Sequence, residues 1–374
     1  MYKKNKKILI VPNAEITEDN SNLFVEKATG ELSLELIELG YSVRVFGQIL
    51  SLPNKMHVFN LNKNSIEIRG IKRKKNKILN YIVLYFYSLV SIIKSDFVYI
   101  FYPSSFKFIG LVCFLLRKKY GLYIRGMNDL DSNSSKFIIK HSKVVLCVSD
   151  NFKDYVNQIS RKIYSRSVRP LINFSENDLV NNRHYLKKRK YNVLYLGRMT
   201  NDKGVIELLH ATKLLEKNGS IFDLTLVGDG EYLSDLKQLA NELDVAHIAS
   251  FKGAEFRRDE IKNYFLNADI YILPSYHEGF PRTLYESMIF GTPIITTFVG
   301  GIGALMKENI NCLKIVPKSV DSIVEQLDYS MNNYDKVAVL ASNASIDIKK
   351  IFETRKLSHA EELDKYLMKE RNES

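Results

Sequence analysis

Short apolar runs rich in β-branched residues recur along the whole chain, separated by segments with the 3.6-residue period of amphipathic helices. Parallel sheets covered by helices produce that alternation. In the first half the runs predict strands at Lys7 to Val11, Ser42 to Phe46, Phe97 to Phe101, Gly121 to Ile124 and Val144 to Val148. The clearest helix between them has Phe24, Ala28, Leu32, Leu36 and Leu39 on one face and a stop at Gly40. From 160 to 191 the chain turns polar and basic, with Arg161, Lys162, Arg166 and Arg169 ahead of Pro170 and then Lys187, Lys188, Arg189 and Lys190. A domain boundary is expected there. A second alternating series follows at Asn192 to Leu196, Asp223 to Val227, His247 to Phe251, Asp269 to Leu273 and Ile294 to Thr297. At 374 residues the chain is long for one core and comfortable for two. The expectation is an α/β protein of two Rossmann-like domains, residues 1–178 and 190–352. A terminal helical segment, 353–374, follows and is free to pack back on the first domain.

The stretch from Ser275 to Met288, running on to Gly291, Thr292 and Pro293, carries the most chemistry. Glu278 and Glu286 stand eight positions apart across a loop-to-helix junction that follows the buried-strand pattern at 269–273. Proline at 281 suits the first helical position and Gly291 the stop, so a helix of about ten residues is expected. Helical side chains lean towards the N-terminus, which turns Glu286 back to the mouth where Glu278 lies. The backbone amides of Gly279, Phe280 and Arg282 stand between the two acceptors, and Pro281 supplies none. A ligand with several hydroxyls and a phosphate fits such a mouth.

This pattern resembles the paired-glutamate signature of the retaining nucleotide-sugar glycosyltransferases, family 4 in particular. The resemblance implies the GT-B architecture, two facing Rossmann-like domains with a cleft between them, donor bound by the second and acceptor by the first. It implies that Glu278 and its neighbouring amides contact hydroxyls of the donor sugar, and that Glu286 accepts from the ribose. Earlier in the same half, Gly197-Arg198-Met199-Thr200-Asn201-Asp202-Lys203-Gly204 follows a strand and opens a helix with Val205, Leu208, Leu209 and Thr212 inward. Two cations beside a helix N-terminus favour a diphosphate, and the Gly-Lys-Ser/Thr order of a Walker A loop is absent. By the resemblance, Arg198 and Lys203 hold the diphosphate and stabilise it as leaving group. A solvated surface loop is the plain reading of this motif in isolation.

Three further turns extend the pattern. Gly228-Asp229-Gly230 separates a strand from a helix, although such a turn alone marks only a tight bend. Phe251-Lys252-Gly253 resembles the segment whose backbone reads the nucleobase edge, and Gly300-Gly301 the glycine turn over the donor. Here the chain departs from the common pattern, because Ala304 stands where an acidic residue is frequent. The first half departs further. Pro12-Asn13-Ala14-Glu15 replaces a glycine pair, and Arg125 to Asp129 replaces a segment that often carries histidine. Asn13, Arg125 and Asp129 are the acceptor-side candidates, as structural or positioning residues. By the resemblance, basic side chains stand in place of a metal clamp, so neither metal nor cofactor is expected. The implied reaction moves a sugar from a nucleoside diphosphate to an acceptor hydroxyl with retention. A nonhydrolysing epimerase of the same fold and a catalytically silent sugar-nucleotide-binding partner are the alternatives. Paired carboxylates also occur in glycoside hydrolases, which need no diphosphate clamp.

Charge divides the chain unevenly. Residues 1–175 hold 28 Lys+Arg against 13 Asp+Glu, and residues 176–374 hold 26 against 29, so the whole excess is in the first half. A basic half suits a phosphorylated substrate, an anionic membrane or nucleic acid, and the last lacks any zinc-finger or aromatic RNP motif. Ile78 to Ile93 is a nearly unbroken apolar run preceded by Lys72, Arg73, Lys74, Lys75 and Lys77. It is shorter than the roughly 20 residues that span a bilayer, which leaves a buried helix or one lying at a membrane interface. The second option agrees with a cytoplasmic protein bound peripherally to the inner face of the membrane, its acceptor a saccharide that is lipid-linked in an envelope, capsule or exopolysaccharide pathway. Cys113, Cys147 and Cys312 match no metal spacing and are expected as reduced core thiols.

Overall fold

In the computed structural model the described residues are 6–51, 57, 59–64, 66–104, 106–126, 129–168, 174–279, 281–354 and 357–372. The chain divides into two compact units, Met1–Pro170 with Lys356–Ser374, and Leu171–Arg355. Each is built on its own parallel sheet.

In the first unit the strands Tyr164–Ser167, Val144–Cys147, Tyr120–Ile124, Phe97–Tyr102, Lys7–Val11 and Ser42–Leu50 lie side by side in that order, all parallel. Glu67–Lys72 adds a further parallel strand against Ser42–Leu50. Every residue of Phe97–Tyr102 and of Tyr120–Ile124 is buried, as both faces of a helix-covered sheet require. The segment from Pro12 differs from expectation. Ile16–Asp19 and Asn22–Val25 form an antiparallel hairpin turned by Asn20 and Ser21, both at positive φ (46° and 62°). Two consecutive left-handed residues make the turn whose twist matches paired strands. Phe24 therefore belongs to a strand, and the helix begins only at Lys27.

The terminal helix His359–Asn372 is part of the first unit. His359 is buried, with Nε2 2.5 Å from the Tyr99 hydroxyl, and Tyr164 and Tyr41 donate to Glu362 and Asp364 at 2.5 and 2.6 Å. Ala360, Leu363 and Leu367 fill the space beside them. Burial, with the Arg125 charge adding to it, pushes the His359 imidazole down to about 3, so the ring stays neutral in the core.

The second sheet runs Ala249–Gly253, Phe222–Val227, Tyr191–Leu196, Ile270–Leu273, Ile294–Thr296, Leu313–Lys314, again all parallel. In chain order this is 3-2-1-4-5-6, the dinucleotide-binding arrangement. The chain changes units at 170/171, earlier than the 178 and 190 read from the basic stretch. A few residues of that stretch are anchored in the second core, while Lys187, Lys188, Arg189 and Lys190 are exposed. Phe174 packs edge-on to Phe290, and the Tyr185 hydroxyl donates to the Gly291 carbonyl at 2.8 Å. The Arg183 guanidinium donates to the carbonyls of Phe265 and Phe290 at 3.0 and 2.9 Å and to Thr292 Oγ1 at 2.9 Å, with Ala268 and Leu266 carbonyls beside it. A single cation thereby satisfies carbonyls at the ends of two helices.

The helix Lys77–Ile93 inverts the usual amphipathic pattern. Its buried side holds Asn80, Ser88 and Ser91 beside Leu84 and Ile92, while Ile78, Ile82, Phe86 and Ile93 are 57 to 74% exposed. Asn80 is satisfied inside, its Oδ1 accepting from Gln48 Nε2 and from the Lys74 amide, both at 2.8 Å. The fully buried helix is thus excluded, and no helix among the described residues is long and apolar enough to cross a membrane. The three cysteines are buried and free, and burial pushes the thiols of Cys113 and Cys312 up to about 12.

Candidate active site

In a doubly wound sheet, ligands bind outside the carboxyl ends of the strands where the order reverses. In the second unit that point lies between Tyr191–Leu196 and Ile270–Leu273. The loops leaving those two strands are 197–204 and 274–281, which hold Arg198, Lys203 and Glu278.

The first loop is fixed from beneath. Gly197 N donates to the Val227 carbonyl at 3.0 Å, Met199 N to that of Asp229 at 2.9 Å, and the buried Tyr195 hydroxyl to that of Arg198 at 2.7 Å. These bonds tie the loop to the Gly228–Gly230 turn. Gly228 has φ 152°, and a Cβ there would stand 1.8 Å from the Gly197 carbonyl oxygen, so no other residue fits. A Cβ on Gly230 would stand 2.3 Å from the Met199 carbonyl oxygen. Held in this way, the Arg198 side chain is exposed to solvent while Lys203 is 6% exposed. Gly204, in the left-handed region, then turns the chain into the helix Val205–Lys217.

Lys203 joins the two loops. Its Nζ lies 2.7 Å from Glu278 Oε1 and 3.1 Å from the His277 carbonyl, and Ser275 Oγ donates to the same Oε1 at 2.8 Å. Asp202 stands 3.5 Å from the ammonium. The resemblance assigns Lys203 to the phosphates and Glu278 to the sugar as separate roles, whereas in the structure the two are an ion pair. Behind them, Gly300 at φ 58° would place a Cβ 1.7 Å from the Glu278 carbonyl oxygen, and Gly301 N donates to that oxygen at 3.2 Å. A Cβ on Gly301 would stand 2.2 Å from the Gly279 carbonyl oxygen. The 300–301 turn therefore sets the height of the Glu278 loop.

The helix after this loop is Arg282–Ile289, eight residues rather than ten. Pro281 occupies the N-cap position with ψ 92°, not the first helical position, and the Leu284 amide donates to its carbonyl at 3.1 Å. Phe280 lies outside the described residues. Glu286 is 4% exposed, and among the described residues no hydrogen bond to its carboxylate is found. Burial raises its carboxyl to about 7, partly offset by the Arg282 charge. The buried Tyr271 phenol lies in the field of both Glu278 and Glu286. Phe251, Lys252 and Gly253 end the strand Ala249–Gly253, and the Gly253 carbonyl accepts from Gly228 N at 2.8 Å. Glu255, two residues on, is held down to about 2, chiefly by its hydrogen bonds from Arg257. Among the described residues no cluster of three or more His, Cys, Asp or Glu could hold a metal ion.

The acceptor-side candidates separate. Asn13 follows the strand Lys7–Val11 and Arg125 follows Tyr120–Ile124, so both stand at carboxyl ends of the first sheet. Arg125 Nη1 reaches Asn13 Oδ1 at 3.4 Å and Glu26 Oε2 at 3.2 Å. Glu26, the residue ahead of the helix Lys27–Glu38, carries no motif in the sequence and was missed. The nearby His57 is buried, 3.2 Å from Thr17 Oγ1, and desolvation lowers its pKa against the opposing fields of Glu26 and Glu15. Asp129 is elsewhere, 2.5 Å from Lys107 Nζ.

Residues 177–346 match the family of glycosyl transferases group 1. Among curated relatives, an uncharacterized glycosyltransferase of Methanocaldococcus jannaschii is 31% identical over 42% of this chain and 40% of its own length. The UDP-Gal:alpha-D-GlcNAc-diphosphoundecaprenol alpha-1,3-galactosyltransferase of Escherichia coli is 26% identical over 49% and 47%. The chain thus spans less than half the length of either. Among solved structures, Anabaena HepE in complex with UDP and glucose superimposes with a TM-score of 0.68 at 17% identity, over 93% of this chain and 98% of that one. The likeness places the two-sheet architecture in the GT-B fold.

Proposed function

We propose that this chain, whose second unit belongs to the glycosyl transferases group 1 family, is a retaining glycosyltransferase that moves a sugar from a nucleoside diphosphate to a saccharide hydroxyl. The observation that carries the reading is the Lys203–Glu278 pair at 2.7 Å, at the reversal point of the second sheet and braced by the 300–301 turn. The buried Lys203 ammonium is already neutralised by the Glu278 carboxylate, which offsets part of the cost of desolvating it. A diphosphate arriving at the N-terminus of Val205–Lys217 draws on Lys203 and on the exposed Arg198, and Glu278 turns its remaining acceptor capacity to sugar hydroxyls.

Charge then develops on the diphosphate as the glycosidic bond breaks, and the two cations stabilise it, Lys203 from a position its loop contacts already fix. No side chain is placed as a nucleophile. The acceptor oxygen attacks from the face the diphosphate leaves, and a phosphate oxygen takes its proton. Basic side chains fill the role a metal has in other transferases, so turnover is expected to be indifferent to chelators. Glu286 accepts from the ribose hydroxyls.

The acceptor is proposed as lipid-linked, and the protein as a peripheral one at the cytoplasmic membrane face. From residue 68 to 128 the chain has 12 Lys and Arg and a single acid, Asp96. The exposed apolar side of Lys77–Ile93 lies within that stretch. Such a surface suits an anionic bilayer, and the Escherichia coli relative is named for a diphosphoundecaprenol-linked acceptor. A nucleotide-sugar panel read by thermal shift tests the donor half, since a ligand bound only by folded protein raises its stability. Incubation of the stabilising donor with no acceptor separates transfer from epimerisation. A panel in which no nucleotide or nucleotide sugar shifts the transition defeats the proposal.

A further inference from the structure

The first unit contains a groove of about 590 Å³ lined by Tyr81, Tyr85, Pro103, Ser104, Lys107, Phe108 and Asp129. It lies at the carboxyl end of its sheet, since Pro103 directly follows the strand Phe97–Tyr102, and Asp129 follows Tyr120–Ile124 by five residues. One wall is the helix Lys77–Ile93, whose neighbouring residues Ile78, Ile82 and Phe86 are exposed to solvent. The other carries the helix Ile109–Leu115, with Leu115 71% exposed.

The chemistry of the lining narrows the occupant. Four of the seven residues present rings or a pyrrolidine. Of the polar ones, Ser104 Oγ accepts from the Phe106 amide at 3.1 Å, and the Asp129 carboxylate is already bound to Lys107 at 2.5 Å. The Tyr85 hydroxyl is buried without a hydrogen-bond partner among the described residues, a donor left over for an anionic oxygen. An apolar chain ending in one anionic group finds what it needs, aromatic walls and a single cation. Lys107 is held in place, its Nζ 5.1 Å over the Phe108 ring. Its partner Asp129 is 43% exposed, so a phosphate can displace that carboxylate into water at small cost.

We propose that this groove binds the phosphate and the first isoprene units of a prenyl-phosphate carrier, with Lys107 on the phosphate and Tyr81, Tyr85 and Phe108 on the chain. The proposal rests on the lipid-linked acceptor reading above and assigns it a place. Chain carbons leaving the groove would continue along the exposed side of Lys77–Ile93 towards the bilayer.

The test uses farnesyl diphosphate, with farnesol and inorganic diphosphate as controls, titrated into the whole protein and read by calorimetry or tyrosine fluorescence. Farnesyl diphosphate is expected to bind at least about tenfold more tightly than either control, since losing the charged contact or the apolar one costs more than about 1.4 kcal/mol. Lys107→Gln should remove that preference. Asp129→Asn, which frees the ammonium, should strengthen binding several-fold, a gain that a merely structural ion pair would not give. UDP binding in the same samples should be unchanged in both variants, and if UDP binds while farnesyl diphosphate does not, the groove assignment fails and the donor reading survives. Farnesol binding as tightly as its diphosphate also overturns the assignment. Phosphatidylglycerol vesicles distinguish the source of the phosphate: if Lys107→Gln abolishes vesicle binding but leaves farnesyl diphosphate affinity untouched, the groove serves bulk lipid and the proposal is wrong.

Discussion

Replacing Glu286 by Gln should stabilise the protein and weaken its grip on nucleotide, and both effects should depend on pH. The carboxyl is raised from about 4.5 to about 7 by burial. Between those values the folded chain holds a proton that the unfolded chain has released, so stability falls as pH rises through that window and levels off above it. One pKa unit is 1.36 kcal/mol, so the penalty is about 1 kcal/mol at pH 5 and about 3 kcal/mol at pH 8. Gln keeps an acceptor and carries no charge to desolvate. Urea titrations of both proteins should therefore show a gap in favour of the variant that widens by about 2 kcal/mol from pH 5 to pH 8. Affinity should move the opposite way, because ribose hydroxyls donate more strongly to a carboxylate than to an amide oxygen. At pH 6 about a tenth of Glu286 is ionised, so UDP should bind the native protein up to about tenfold more weakly there than at pH 8. The ligand's own phosphate titrates near 6, and the variant measures that contribution alone. An equal stability gap at pH 5 and pH 8, or the same pH profile of UDP affinity in both proteins, would refute the argument.

Arg198→Ala and Lys203→Ala should each lower turnover at least about 100-fold if the two cations stabilise leaving-group charge; near-normal rates in both remove them from the mechanism. Unfolding separates them, since Lys203→Ala strands the Glu278 charge in a half-buried site whereas Arg198 has an exposed side chain. Cosedimentation with anionic vesicles should fall as salt rises and fall further when Lys72, Arg73, Lys74 and Lys75 become Gln, with UDP affinity unchanged; protein left in the supernatant at low salt would refute membrane docking. Arg183→Ala, which orphans several buried carbonyls, should destabilise the second unit by about 3 kcal/mol, read as a shift of its urea midpoint. A shift below about 0.5 kcal/mol would mean water replaces the guanidinium.

Most of the second sheet was legible because its strands are short β-branched runs punctuated by glycine, with local causes. The site glycines are legible for another reason: Gly228 and Gly300 are required by close approach of the neighbouring loops at Gly197 and Glu278, and a glycine ending a strand shows in sequence even though its partner does not. The pairing of Lys203 with Glu278 is a contact across 75 positions, and no local rule encodes it. The hairpin at 16–25 was hidden by helix-period apolar residues that tertiary pairing overrode, though Asn20-Ser21 is a turn signal of the right length. The basic stretch at 160–191 put the boundary late because Phe174, Arg183 and Tyr185 within it already belong to the second core, Arg183 spending its donors on helix-end carbonyls. The helix at 77–93 could be placed but not oriented. Its inward Asn80 and Ser88 are acceptable only because Gln48 and backbone carbonyls meet them.

The second unit is an insertion in the first. Residues 356–374 complete a body begun by residues 1–170, and 185 residues of another core, 171–355, come between. During synthesis the first sheet must wait with the seat of His359, Ala360, Leu363 and Leu367 open until those residues have left the ribosome. The second unit, contiguous in sequence, can close before then. Of the two bodies, the one begun first is therefore completed second.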